Sequence, residues 1–230
     1  MEQWFGIVGT EYFSTKEVFA FNGAVLMIVI IDYGMGNFGS ILNMLKRIGV
    51  SASITSDREQ IQKASKIILP GVGSFDSAMN RLLALNVICA LEKKVLQEKV
   101  PILGICLGMQ LLTKKSEEGD VSGLGWIDAV VKKFKPSSEY PNLKVPNMGW
   151  NIVKFARTNR LLNQQELDSR FYFVHSYYVS CCNENDVIMT SNYGGDFVAA
   201  FEHENIFGVQ FHPEKSHRYG IEVFKNFVAI

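Results

Sequence analysis

From Met27 onward the chain alternates between two patterns. Short, continuous apolar runs give way to segments whose apolar residues return every three or four positions. MIVIID (27–32) is the first apolar run and predicts a buried strand. NFGSILNMLKRIG (37–49) puts Ile41, Leu45 and Ile48 on one helical face, with Asn37 placed to cap its start and Gly49 to stop it. SASIT (51–55) predicts a strand, DREQIQKA (57–64) a helix capped by Asp57, and KIIL (66–69) a strand ending in the turn PGVG. Residues 74–98 read as helix with an interruption near Asn86; PILGI (101–105) is the next strand, and a helix follows from Leu107 to about Lys115.

The second half changes character. VVKKF (130–134), NIVKF (151–155), FYFVHSYYV (171–179), VIMTSNY (187–193), FVAAFEH (197–203) and IFGVQF (206–211) are strand-like, with little helix between them. SHRYGIEVFKNFVAI (216–230) closes the chain as an amphipathic helix. Repeated strand–helix–strand units imply a parallel sheet with helices on both faces. The expected architecture is therefore one α/β domain over residues 27–230, a central, mostly parallel sheet flanked by helices with an antiparallel β extension. Residues 1–26 stand apart as an N-terminal extension. They are mixed and aromatic and have neither a basic leader nor a long apolar stretch, so no secretory signal is expected.

Charge and cysteine usage narrow the function classes. The 23 basic and 23 acidic residues cancel, which argues against a general nucleic-acid binder. No apolar run approaches the ~20 residues of a membrane-spanning helix. Cys89, Cys106, Cys181 and Cys182 have no framework spacing, and neighbours such as Cys181 and Cys182 point to opposite faces of a strand. They read as reduced thiols of a cytoplasmic protein. No CxxC or HExxH metal pattern is present, and no metal or other cofactor is expected.

Chemistry concentrates in three stretches. In PILGICLGMQLL (101–112) a strand delivers Cys106 between two glycines and a helix starts at once. That is the strand–turn–helix setting of a nucleophile elbow, where a helix N-terminus favours thiolate and the following amide can serve an oxyanion hole. A buried core cysteine fits the motif alone equally well. In GVQFHPEKS (208–216) an apolar strand ends at His212, proline stops the pairing, and Glu214 follows where it can hold the imidazole's other nitrogen. His175 lies mid-strand and reads as structural, while His203 and His217 sit among polar residues and read as solvated. ILPGVGSF (68–75) supplies a glycine turn whose amides can approach a ligand, without the Gly-Lys-Ser/Thr of a phosphate loop.

PGVG, GICLGMQ and FHPE, in this order, resemble the class I (triad-type) glutamine amidotransferases. IIDYGMGN (30–37), PNMGWN (146–151) and FYFVHSY (171–177) bring the resemblance closest to the glutaminase subunit of imidazole glycerol phosphate synthase. The resemblance implies Cys106 as nucleophile, His212 as base and Glu214 as its orienting partner. It implies an oxyanion hole from the amides at Val72, Gly73 and Leu107, and a glutamine pocket formed by Gln110, Glu118 and the His175–Ser176–Tyr177 backbone. It further implies hydrolysis of glutamine to glutamate and ammonia, with ammonia passed inside a heterodimer to a (β/α)8-barrel cyclase docked near Asn147, Trp150, Asn151, Tyr172 and Lys215. Neither nucleic acid nor membrane is an implied partner. Two departures touch the docking side. Asn147 stands where the family pattern has histidine, and KSHRYG (215–220) is closer to paralogues that feed ammonia to a surface-polysaccharide sugar amidination enzyme.

Overall fold

The computed structural model describes residues 20–21, 24–162 and 169–230. Most of the expected extension, residues 1–26, therefore lies outside the described residues. Within it, β1 (Ala20–Phe21) and β2 (Ala24–Val25) form an antiparallel ladder.

The first half folds as its pattern predicts. β3 (Ile28–Ile31), α1 (Phe38–Arg47), β4 (Ala52–Thr55), α2 (Arg58–Gln62), β5 (Lys66–Gly71), α3 (Phe75–Ala84), α4 (Ile88–Glu92), β6 (Ile102–Cys106) and α5 (Leu107–Leu111) follow in turn. Asp57 caps α2 through Oδ1, which accepts from the Glu59 amide at 2.8 Å. Asn37 occupies the cap position of α1 without a side-chain cap bond, and Gly49 takes φ 79° just past its end. The expected interruption falls at Asn86, whose φ is 54°. After α4 the helix continues as a π turn over Lys93–Gln97.

The second half comprises β7 (Lys115–Ser116), β8 (Ala129–Lys133), β9 (Asn147–Phe155), β10 (Arg170–His175), β11 (Tyr177–Cys181), β12 (Val187–Asn192), β13 (Asp196–His203), β14 (Ile206–Val209) and α6 (His217–Ala229). Strands β4, β3, β5, β6 and β14 lie side by side and parallel. Beyond β14 the sheet continues antiparallel through β13, β12, β9 and β10, while β11, β8 and β7 branch from β13.

Alternate residues of the parallel strands feed two apolar layers. Val29, Ile31, Ile67 and Leu69 pack with Leu82, Leu91 and Leu111 from α3, α4 and α5. Ile28, Ile30, Ile68, Leu103 and Ile105 pack with Ile41 and Leu45 of α1 and Val223, Phe224 and Phe227 of α6. Cover on both faces is why these strands read as unbroken apolar runs. Each such side chain contributes about 1.5–3 kcal/mol by leaving water.

Three expectations shift, each for a local reason. The helix after Cys106 stops at Leu111, not near Lys115. Thr113 Oγ1 donates back to Gln110 O at 2.8 Å, and the Lys114 amide then pairs with Ala129 O at 3.0 Å, drawing the chain into β7. The segment 171–179 is two strands, because β10 pairs with β9 whereas β11 pairs with β8. The chain changes partners at Ser176, so His175 ends a strand rather than sitting within one. The strand expected at 151–155 begins at Asn147, since the MGWN residues pair with β10 throughout.

Candidate active site

In parallel sheets the carboxyl ends of the strands form the usual crevice for ligands. Here β5 ends at Gly71, opposite Cys106 at the end of β6, and Val209 at the end of β14 lies opposite Ile105. The residues that follow these three strands, Val72–Gly73, Leu107 and Gln210–His212, therefore emerge together.

Cys106 adopts φ 54° and ψ −108°. A side chain rarely occupies that left-handed region, and holding one there costs about 1–3 kcal/mol. The strain turns the thiol out of the strand at the start of α5. Gly108 makes the elbow possible, because a β-carbon at that position would run into the carbonyl of Leu69 on β5. Helix α5 can thus lie directly on the neighbouring strand. It is only five residues long, so its dipole is a smaller aid to the sulfur than a full helix would give.

His212 is held from both ends. Its amide donates to Tyr172 O at 2.9 Å, and its carbonyl accepts from Ser216 Oγ at 2.7 Å. Gly220 of α6 lies against the Pro213 carbonyl with no room for a β-carbon, which locks the turn after the histidine. The imidazole Nδ1 lies 2.9 Å from Glu214 Oε1, in a pair whose side chains are 2% and 1% exposed. Since a carboxylate only accepts, Nδ1 carries hydrogen and Nε2 is the working nitrogen. That Nε2 is buried without a hydrogen-bond partner among the described residues. Burial lowers the histidine's pKa, but the Cys106 sulfur and the Glu214 carboxylate outweigh it and raise it well above the usual value.

A cleft of about 320 Å³ opens over the two side chains. Val72, Gly73, Cys106, Leu107, Gln110, Glu118, His175, Ser176, Tyr177 and His212 line it, together with Pro146 and Val174. The volume lies at the lower end of the range for small-molecule sites, about 300–1,000 Å³. Glu118 Oε2 accepts from the Phe75 amide at 2.8 Å. Burial raises its pKa against that hydrogen bond. His175 ends β10 with Nδ1 2.7 Å from Tyr177 O. Burial drives its pKa down to about 4, so the ring is neutral.

Sequence reasoning passed over two residues beside the cysteine. Gln210 Nε2 lies 3.7 Å from Cys106 Sγ; its position two before His212 in GVQFH was the available signal, since alternation along a strand returns to one side. Tyr33 donates its hydroxyl to Pro70 O at 2.6 Å and so pins the base of the PGVG turn. Only the fold reveals that contact.

Near the β10 end of the sheet, one face carries an exposed apolar row. Met148, Trp150 and Ile152 alternate outward along β9, with exposures of 63%, 44% and 54%. Tyr172 packs edge-on to Trp150 from β10, the Lys215 ammonium lies 5.6 Å from the Tyr172 ring, and His217 stacks on Trp150 at 5.6 Å. His217 thus belongs to this face rather than being merely solvated. Asn147 does not share it. At 1% exposure it points inward, bonding His175 and Asn151, and offers a partner no surface of its own. Asn151 is half-buried at the rim.

A larger groove, about 530 Å³, lies over Tyr178, Cys181, Val187 and Val198. Burial and nearby acidic groups push its Cys181 thiol up to about 12, and no histidine lines it. Reactive chemistry therefore belongs to the smaller cleft. No cluster of metal-ligating side chains occurs among the described residues.

Residues 29–230 match the family described as glutamine amidotransferase class-I. The chain belongs to the class I glutamine amidotransferases. A curated relative from Methanococcus maripaludis, imidazole glycerol phosphate synthase subunit HisH 2, is 56% identical over 202 residues, 88% of this chain and 98% of the relative. The subunit HisH of Leptospira borgpetersenii is 47% identical over 204 residues, 89% of this chain and all of the relative. Among solved structures, PurLQS from Thermotoga maritima superposes with a TM-score of 0.67 at 18% identity, covering 89% of this chain and 98% of that one. At that identity the likeness speaks for the amidotransferase fold alone. None of the described helices of this amidotransferase is long and apolar enough to cross a membrane.

Proposed function

We propose that the chain is the glutaminase subunit of an imidazole glycerol phosphate synthase and hydrolyses glutamine through Cys106, His212 and Glu214. The observation that carries the reading is the state of His212: Nδ1 is tied to Glu214, while Nε2 is buried with no hydrogen-bond partner among the described residues, in the cleft that Cys106 also lines. Cys106 Sγ attacks the carboxamide carbon of glutamine. The resulting oxyanion is met by backbone amides at Val72, Gly73 and Leu107, all lining the cleft. His212 Nε2 gives its proton to the departing ammonia, leaving a γ-glutamyl thioester. The same nitrogen then takes a proton from water as it attacks the thioester, releasing glutamate and restoring Cys106. Gln110 and Glu118 hold the amino-acid end of the substrate, and His175–Ser176–Tyr177 form the wall beside it.

Ammonia released into water would be protonated and lose its nucleophilicity. The apolar row on β9, with Tyr172 and Lys215, is suited to a (β/α)8-barrel cyclase that receives ammonia directly and forms a heterodimer with this chain. The test is to mix the chain with a histidine-pathway cyclase from the same organism, glutamine and the aminoimidazole ribonucleotide substrate. Imidazole glycerol phosphate should form with glutamine as sole nitrogen source; no complex and no product would refute the pathway.

One observation favours a second reading of the acceptor. His217, within the departing KSHRYG run, stacks on Trp150 in the docking face. A partner that reads this ring would be the paralogous sugar amidination enzyme of surface-polysaccharide synthesis. Complementation of a polysaccharide defect, with none of a histidine defect, would select it.

A further inference from the structure

A chain of buried and partly buried hydrogen bonds runs from Asn151, half-buried on β9, to the sulfur of Cys106. Asn151 Nδ2 donates to Asn147 Oδ1 at 3.0 Å, and Asn147 Nδ2 lies 3.1 Å from His175 Nε2. His175 Nδ1 lies 2.7 Å from Tyr177 O. Gln110 Nε2 donates one hydrogen to the same carbonyl at 3.1 Å and the other to Gln210 Oε1 at 3.1 Å. Gln210 Nε2 then donates to Cys106 Sγ at 3.7 Å. Asn147, His175, Gln110 and Gln210 are all buried, with Gln210 fully so.

Every proton in this chain has one consistent place. A backbone carbonyl only accepts, so His175 carries hydrogen on Nδ1 and presents a lone pair at Nε2. Asn147 must then turn its NH₂ to the ring and its oxygen to Asn151. Reversing Gln110 would set its oxygen against the Tyr177 and Gln210 oxygens. Reversing Gln210 would set its oxygen against the sulfur and its NH₂ against that of Gln110. Each flip loses at least two buried bonds, and an unmet buried polar group costs about 1–3 kcal/mol.

The two groups that hydrogen-bond the sulfur favour different states of it. Val174 O, at 4.0 Å, can only accept and suits a protonated thiol. The Gln210 N–H, at 3.7 Å, can donate and suits a thiolate. We propose that Gln210 is a positioning residue that holds the Cys106 thiolate toward His212, and that the amide chain through Gln110, Tyr177 O, His175 and Asn147 makes this hold sensitive to what contacts the half-buried Asn151 at the rim. The proposal rests on the reading of Cys106 as nucleophile. It gives a docked partner a route to the sulfur that needs no movement of the PGVG turn.

The test is the pH dependence of Cys106 alkylation by iodoacetamide, followed in the intact chain by mass spectrometry of the Cys106 peptide so that Cys89, Cys181 and Cys182 do not interfere. The titratable groups around the sulfur are Tyr33, Glu118, His175 and His212, with Glu214 behind His212, and all stay in place in the variants used. Gln210→Met keeps the length of the side chain and removes the donor. Its alkylation midpoint should rise by about one pH unit, the scale of one lost hydrogen bond to an anion. Asn151→Ala, at the far end, should move the midpoint in the same direction by less, and Leu83→Ala, on the exposed side of α3, should not move it. A wild-type profile in folded Gln210→Met overturns the proposal. If Gln210→Met does not fold, Asn151→Ala decides: a shifted midpoint supports the relay and an unchanged one overturns it. Alkylation needs no glutamine, so a shifted profile without glutamate release would sink the proposed activity and leave the relay standing. Glutamate release with unshifted profiles would do the reverse.

Discussion

Two histidines face one cleft from two regions of the sheet, and their surroundings drive them to opposite charge states. His212 follows β14 in the parallel half, and His175 ends β10 in the antiparallel half. Burial lowers the pKa of both rings. Around His175 the contacts are a backbone carbonyl and the amide of Asn147, and neither can carry the negative charge that would restore the proton. The ring is held down to about 4 and works as a fixed neutral link. Around His212 the contacts are the Cys106 sulfur and Glu214, and their negative charge overcomes burial. In a dry site the charge a partner can bear, rather than burial itself, separates an acid–base histidine from a structural one.

The largest effect should come from removing the group on which the difference depends. Cys106→Ser leaves His212 facing a hydroxyl, and glutamate release should fall by on the order of 10⁴-fold or more. Product formation fed by ammonium salt should survive if the partner does the second step. Measurable glutaminase activity in this variant would break the comparison at its root. Glu214→Gln comes next, because it gives His212 a neutral partner like that of His175. A loss of about 10²–10⁴-fold in glutamate release is expected, with the alkaline limb of the pH–rate profile moving to lower pH as the imidazolium loses its carboxylate. An unmoved limb would show that Glu214 does not set the proton on His212.

His175 sharpens the comparison through stability. Its folded pKa lies below the unfolded value of 6.5, so the unfolded chain binds the proton more readily. The stability this group contributes is fully present above pH 6.5 and is lost as pH falls toward 4, by up to about 3 kcal/mol at ~1.4 kcal/mol per unit. Denaturant melts at pH 7 and pH 5 should show this loss in the wild type and a smaller one in His175→Gln. Equal slopes would contradict the neutral, buried assignment. The smallest effect is expected at the outer face. Trp150→Ala should weaken binding of the proposed cyclase partner by about 2 kcal/mol, roughly 30-fold, while the isolated chain keeps its Cys106 alkylation rate.

The same contrast separates what the sequence disclosed from what it hid. The parallel half was legible because strands covered on both faces are continuous apolar runs, and each was read within two residues of its bounds. The cysteine elbow and the His-Pro-Glu turn were legible because glycine and proline mark chain reversals locally. In the antiparallel half, FYFVHSYYV looked like one strand, since nothing in its composition shows that β10 and β11 pair with different neighbours. Asn147 was placed on the docking face for its nearness to Trp150. Pleating sends residues three apart to opposite sides, and the inward side holds the amide relay. Gln210 escaped notice because its place two before His212 is a weak signal by itself; its nearness to the sulfur arises only where β14 ends beside β6.

The central claim is that Cys106 forms a covalent bond to glutamine with help from His212. The direct measurement is to incubate the chain and the proposed cyclase partner with glutamine, quench in acid within the first turnover, and search every cysteine-containing peptide by mass spectrometry. The account predicts a γ-glutamyl thioester on the Cys106 peptide alone, lost in Cys106→Ser and accumulating when the quench precedes hydrolysis. Glutamate release without that adduct, or an adduct on Cys89, Cys181 or Cys182 instead, would contradict it.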